Sequence, residues 1–259
     1  MKISVGDGSN YVLGTGVAPE ESLKIRIKQA SNSGGSGEPA EDFVETTGPS
    51  TCGSFVLAGN ATSYVDFDPN SGLDFGTGPF TIEWWQYQTD SNSWPRVFAR
   101  GTYGATTLGL SIEGGSAYFW DDGANGLGTL SNYKNSWKHF AITRSINNKL
   151  RFFYHGSLVS TITDYTHDFA ASSEHLMIGV EGNPSNGSSF GGNITNFHIM
   201  KGAARYIAPF TPSTSPLRMT NKSVLMMYAD NALNVADDST GNITGFASNI
   251  TWSSSNPFA

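Results

Sequence analysis

Hydrolysis of a glycosidic bond with retention needs two carboxyl groups about 5.5 Å apart. On one face of a strand that means acids at i and i+2 or i+4. Glu83 stands alone among Thr81, Trp84 and Trp85, so it supplies no such pair. Asp66 and Asp68 have the spacing, but they run into Pro69 and read as a capped turn. A Ser-His-Asp relay is open to a chain this rich in serine, yet no Gly-x-Ser-x-Gly elbow is present. His139, inside an apolar strand pattern, is expected to pack there or to hydrogen-bond across a sheet. The five histidines show no zinc spacing. Gly34–Gly37 lacks the Lys-Ser/Thr that would make it a phosphate loop. Chemistry of another kind is open to aromatic side chains, because an exposed indole can stack on the apolar face of a sugar. Trp94, before Pro95 in a loop, and Trp120, ending a strand at Asp121, are the candidates, with ordinary packing as the competing role. The sequence therefore predicts a binding or structural protein and no enzyme.

The elements that must carry these residues are short strands. Glycine reaches 30 of 259 residues, and there are 16 Phe, 10 Tyr and 6 Trp. Aromatic and β-branched side chains suit pleated faces, and glycine suits turns. From Ser54 onward, strand-like runs recur at Ser54–Leu57, Tyr64–Phe67, Phe80–Tyr87, Arg96–Arg100, Thr107–Ile112, Ala117–Trp120, Trp137–Arg144, Leu150–Tyr154, Leu158–Thr163, His175–Gly179, Gly192–Met200 and Val224–Tyr228. Turn-forming segments separate them, among them Asp122–Gly126 and His155-Gly156. This regular spacing predicts an all-β fold. Alternation places Phe80, Ile82 and Trp84 on one face, with Thr81, Glu83 and Trp85 on the other. Trp84, Trp85 and Trp137 read mainly as core. A single helical turn is expected near Ala203–Tyr206. Residues 1–50 are set apart by a strand of alternating apolar and basic residues, Leu23–Lys28, and a Gly/Ser-rich stretch, Ser31–Pro39. They read either as a hairpin packed on the main domain or as an arm that adds a strand to a neighbour.

Net charge is −7, with 15 Lys and Arg. That balance argues against nucleic acid, which needs a basic surface, and against anionic membranes. Cys52 is alone, so no internal disulfide forms, and it reads as a small core residue. No apolar run is long enough for membrane insertion. The first residues lack a signal-peptide pattern, so synthesis in the cytoplasm of a host without a leader is expected.

Five motifs in order over residues 54–200 carry a resemblance. They are Ser54–Asn60 followed by Tyr64–Phe67; Phe80-Thr81-Ile82-Glu83-Trp84-Trp85; Trp137-Lys138-His139-Phe140-Ala141-Ile142-Thr143-Arg144; Leu150–Val159; and Ile178-Gly179 with Phe190–Ile199. In this order they resemble the laminin-G-like, concanavalin A-like jelly roll. His155 stands where that family usually has Asn before Gly156. The resemblance implies a two-sheet antiparallel sandwich over 51–259, with 1–50 as an extension and 219–259 closing the sandwich beside Ser54–Leu57. Such domains often hold Ca²⁺ at the rim with Asp, Asn and backbone carbonyls. Asp121, Asp122 and Asn125 form the best local set, and Asp164 with Asp168 a second. Turn residues bonding their own backbone are the competing reading. No cofactor is required by the fold.

The tail resembles segments of virion and phage structural proteins. Arg205-Tyr206 with Phe210 and Pro212 matches one such segment. Val224–Tyr228, Asp237–Asn242 and Ser253–Phe258 match another. The resemblance implies a non-enzymatic virion component, a phage decoration or fibre protein, whose partners are other virion proteins or copies of itself, with cell-surface glycans as a further partner. The alternatives are a carbohydrate-binding or adhesion module of a secreted or surface protein, and a glycan hydrolase with an unfamiliar site.

Overall fold

The computed structural model describes residues 52–89, 92–102, 107–182, 188–229 and 243–258, together with four short strands nearer the N-terminus. Those four are β1 (Lys2–Ser4) paired with β2 (Asn10–Val12), and β3 (Ile25–Ile27) paired with β4 (Phe43–Glu45). The Gly/Ser-rich stretch and Asp237–Asn242 lie outside the described residues.

The strands that follow build a sandwich. They are β5 (Ser54–Ala58), β6 (Tyr64–Phe67), β7 (Phe80–Gln88), β8 (Arg96–Arg100), β9 (Leu108–Glu113), β10 (Ser116–Trp120), β11 (Ala124–Thr129), β12 (Lys138–Arg144), β13 (Leu150–Tyr154), β14 (Ser157–Ile162), β15 (Leu176–Ile178), β16 (Gly191–Lys201), β17 (Ser223–Met227), β18 (Gly245–Ser248) and β19 (Thr251–Ser253). One sheet runs β11-β10-β9-β8-β15-β6-β18. The other runs β14-β13-β12-β7-β16-β5-β19, with β17 also on β16. The strand pairings within both sheets are antiparallel. The fold class read from the sequence is therefore the observed one. The closing strands come from far along the chain: β18 lies on β6 and β19 on β5.

The core forms where period-two side chains of both sheets meet. Trp84 lies fully buried, stacked on Phe140 at 5.4 Å and 9° and edge-on to Phe98 at 5.5 Å. Phe80 and Ile82 share its side, as alternation requires. The opposite face of β7 departs from the pattern usual for a sheet with one wet face: Thr81, Glu83 and Trp85 are buried too. Residues 203–212 lie against that face. Thr81 Oγ1 donates to the Ala203 carbonyl and accepts from the Arg205 amide, both at 2.9 Å. Thr143 Oγ1 donates to the Tyr206 carbonyl at 2.8 Å. These bonds hold the segment in a non-helical course where a helical turn was expected; a short 3₁₀ turn lies instead at Ser71–Leu73.

Trp85 is buried, as expected, on the face of β7 opposite Trp84, edge-on to His139, His155 and Phe258; Trp137 departs from the expectation. Trp137 precedes β12 and is half-buried beside Tyr87. His155 and Gly156 form the tight turn between β13 and β14, with φ of 48° and 81°. Cys52 is buried, with Asn196 Nδ2 3.4 Å from its sulfur.

Candidate functional site

A cleft of about 400 Å³ opens where β8 ends, β9 begins and β10 turns into β11. Leu73, Leu108 and Phe169 supply apolar surface, and Thr107, Asp122, His167, Asp168 and Glu174 supply polar groups. Two arginines fix its walls. Arg100, 2% exposed, bonds Asp74 at 2.7 Å, the Leu73 carbonyl at 3.1 Å and the Ser172 carbonyl at 2.8 Å. Arg144 donates to the carbonyls of Gly76, Gly78 and His167 while its guanidinium stands 5.2 Å from the ring centres of Phe80 and Phe169. With Arg100 neutralised by Asp74, the side chains facing the cleft are dominated by three carboxylates. Such a lining accepts hydrogen bonds from hydroxyl or amine donors and repels anions.

The two acidic sets singled out in the sequence meet here in part. Asp122 and Asp168 both line the cleft, whereas Asp121 does not. Asp121 accepts from Asn125 on one oxygen and from the Tyr165 hydroxyl on the other. That phenol is pushed far above its ordinary pKa by burial and by its bond to Asp121, so it stays a donor. Asp122 sits in the left-handed region with φ of 67° and is exposed. Of the set Asp121, Asp122 and Asn125, Asp121 is thus engaged on both oxygens by Asn125 and Tyr165, while Asp122 is exposed at the cleft. Among the described residues no group of three His, Cys, Asp or Glu converges as a metal site.

The two tryptophans differ. Trp94 is 45% exposed and tilted against Tyr118 at 6.4 Å. Trp120 is half-buried: the Arg96 guanidinium lies 3.9 Å from its ring centre, and its Nε1 donates to Ser111 Oγ at 2.9 Å. Arg96 in turn pairs with Glu181 at 3.1 Å. One face of Trp120 is therefore taken, while Trp94 keeps open surface.

A polar cluster that sequence spacing did not show lies across the eight-stranded sheet. Glu83 is fully buried, and four groups from three elements converge on it. His198 Nδ1 is 3.0 Å from Oε1, His139 Nε2 is 3.2 Å from Oε2, the Tyr206 hydroxyl donates to Oε2 at 2.7 Å, and Arg205 Nη1 is 3.7 Å from Oε1. His139 does bond across the sheet. His198 reaches Glu83 because β16 bulges between Thr195 and His198, where Asn196 takes φ of 52°. Without that extra residue, alternation would turn His198 toward the core. Ser223 Oγ lies 2.6 Å from His198 Nε2, so Ser223, His198 and Glu83 follow the order of a nucleophile, base and orienting acid. Yet Ser223 is 7% exposed, its oxygen also accepts the Thr220 amide at 2.8 Å, and none of the three lines the cleft. The arrangement has the geometry of a relay and the burial of a structural network. Elsewhere Asp66, read as part of a capped turn, instead bonds His175 at 2.7 Å on the outer face of the other sheet.

A two-layer antiparallel sandwich with its cleft among the loops at one end is the lectin-like class of β fold. The family model of the concanavalin A-like lectin/glucanases superfamily termed laminin G 3 matches residues 58–205, more than half of the chain, and the chain belongs to that family. No curated protein matches it in sequence. Among solved structures, a candidate carbohydrate-binding protein from Bacteroides ovatus is similar, with 15% identity and a TM-score of 0.61, over 80% of this chain and 61% of that one. The chain thus spans less than two thirds of that protein. A pentraxin from Limulus polyphemus, 10% identical, aligns over 71% of this chain and 98% of its own length with a TM-score of 0.49. Domain 4 of an extracellular arabinanase from Geobacillus stearothermophilus, in complex with arabinotriose, is 16% identical over 67% of this chain and 79% of that one, with a TM-score of 0.46. At these identities the likeness is one of fold. No helix among the described residues is long and apolar enough to cross a membrane.

Proposed function

We propose that this chain is a non-catalytic recognition module that takes an uncharged, hydroxyl-rich glycan in the cleft bounded by Asp122, Asp168 and Glu174. The observation that carries this reading is the cleft itself: acceptor carboxylates around an apolar floor, walls pinned by two buried arginines, and a volume in the range of small-ligand sites. Sugar hydroxyls donate to carboxylates, and the apolar floor suits C–H faces. The carbohydrate-binding description of the Bacteroides protein supports the same reading. Calcium at Asp121, Asp122 and Asn125 belongs to the proposal, and an EDTA arm of the titration tests it: binding unchanged by EDTA removes the cation. Isothermal titration against a panel of neutral and sialylated oligosaccharides tests it. Binding of a neutral glycan that weakens about 5- to 150-fold in Asp168→Ala or Asp122→Ala, as loss of one good hydrogen bond implies, is the expected result. A flat panel, or binding untouched by both substitutions, defeats the cleft. Weakening by Trp94→Ala alone would move the glycan to the exposed indole beside Tyr118.

The biological setting we infer is a virion, in which this sandwich is a decoration or fibre component presenting its loops toward host glycans and docking on virion proteins or its own copies. The tail segments around Arg205–Pro212 and Val224–Tyr228 support it. Mass spectrometry of purified particles is the test. Absence of the chain from particles, together with glycan binding, would leave an adhesion module in its place.

A further inference from the structure

The segment 203–212 crosses the outer face of the eight-stranded sheet as a strap. Tyr206 and Phe210 stack on each other at 3.7 Å and 8°. Phe210 meets His139 and Phe153 edge-on, each at 5.5 Å, and its amide donates to the Gly156 carbonyl at 2.9 Å. The polar end of Tyr206 reaches Glu83. We propose that this strap is an acid-released latch, with Glu83 as the catch.

Around Glu83, the Tyr206 hydroxyl and the Arg205 guanidinium come from the strap, His139 from β12 and His198 from β16. The two strap groups are donors. An ionised Glu83 only accepts, so His198 faces it with Nδ1–H as donor, and Ser223 Oγ, which also accepts from the Thr220 amide, lies at Nε2. His139 faces the other oxygen. A carboxylate, which only accepts, satisfies this ring; a carboxylic acid would set its own O–H against donors in a site without water access. Further out, Lys138 and His139 lie within electrostatic reach of His155. Burial alone would raise the pKa of Glu83, but the charge of Arg205 and the bonds from His139 and His198 outweigh it and hold the group well below its ordinary 4.5. With the folded-state value below the unfolded one, the catch is fully engaged above about 4.5 and is lost as pH falls through the lower, folded-state value.

Hydrogen–deuterium exchange of the full chain, followed by mass spectrometry from neutral to strongly acidic buffers and corrected for intrinsic rates, tests this. The expected result is that peptides covering 203–212 lose protection about tenfold or more at a pH where β9 and β10 keep theirs. Loss of strap and core protection together would overturn it, as would strap opening centred near the ordinary histidine range of about 6.5. Glu83→Gln should open the strap at neutral pH. If that variant fails to fold, Tyr206→Phe, which keeps the ring stack and removes one donor to the carboxylate, still decides: the opening midpoint should rise by about one pH unit, and an unmoved midpoint would refute the latch.

Discussion

Trp84 shows how one side chain organises the sandwich. Its indole lies between Phe140 on its own sheet and Phe98 on the other, and its Nε1 donates to Gln86 at 2.8 Å. Trp84→Ala should cost about 3–5 kcal/mol, measured by urea denaturation. Asn196 matters for a different reason. It holds the left-handed residue of the bulge, and its Oδ1 accepts the Leu217 amide at 2.6 Å. Asn196→Val, which is strained at positive φ, should destabilise more than Asn196→Gly, which keeps the backbone and loses the side-chain bonds to Leu217, Thr195 and Cys52; thermal melts of the pair give the ordering. Alternation correctly placed Trp84 inside. The bulge was legible only indirectly, because Ile194 and Phe197 are both core residues three apart, a spacing that a regular strand cannot bury on one face. The Glu83 cluster was hidden for a related reason. Its members are separated by up to 123 positions, and only strand register and that bulge bring them together.

At the scale of elements, runs with clear apolar alternation were readable to within a residue or two, as at β6, β8 and β13. β11 was not. Of Ala124–Thr129 only Leu127 is buried, and two glycines interrupt it, so an edge strand looked like part of a turn. The strap was misread as a helical turn because its conformation is imposed by Thr81 and Thr143 of neighbouring strands. Its dependence on the β13–β14 turn gives a further expectation. A Cβ on Gly156 would lie 2.0 Å from the Phe210 carbonyl oxygen, at a φ of 81°. Gly156→Ala should displace the strap and cost about 1–3 kcal/mol, seen as a lower melting temperature with faster exchange at residues 203–212.

For the molecule as a whole, the sandwich divides its faces. The strap covers the outer side of β7 and β12, while the cleft opens among loops at the end of the other sheet. Binding and strap release should therefore be separable: Tyr206→Phe should leave glycan affinity unchanged within error in the same calorimetric titration. The fold class was visible in the sequence because it rests on period-two patterning repeated many times. The cleft was visible only as two disconnected acidic turns, since loops meet through the fold and not through spacing. The late pairing of β18 with β6 and of β19 with β5 has a consequence for biogenesis. During synthesis, β5 and β6 leave the ribosome long before the strands that border them, and they wait with bare main-chain amides and carbonyls that a nascent neighbour could capture. Yield of native chain should then depend on how quickly translation reaches residue 253, and crowded polysomes are where misassembly would begin.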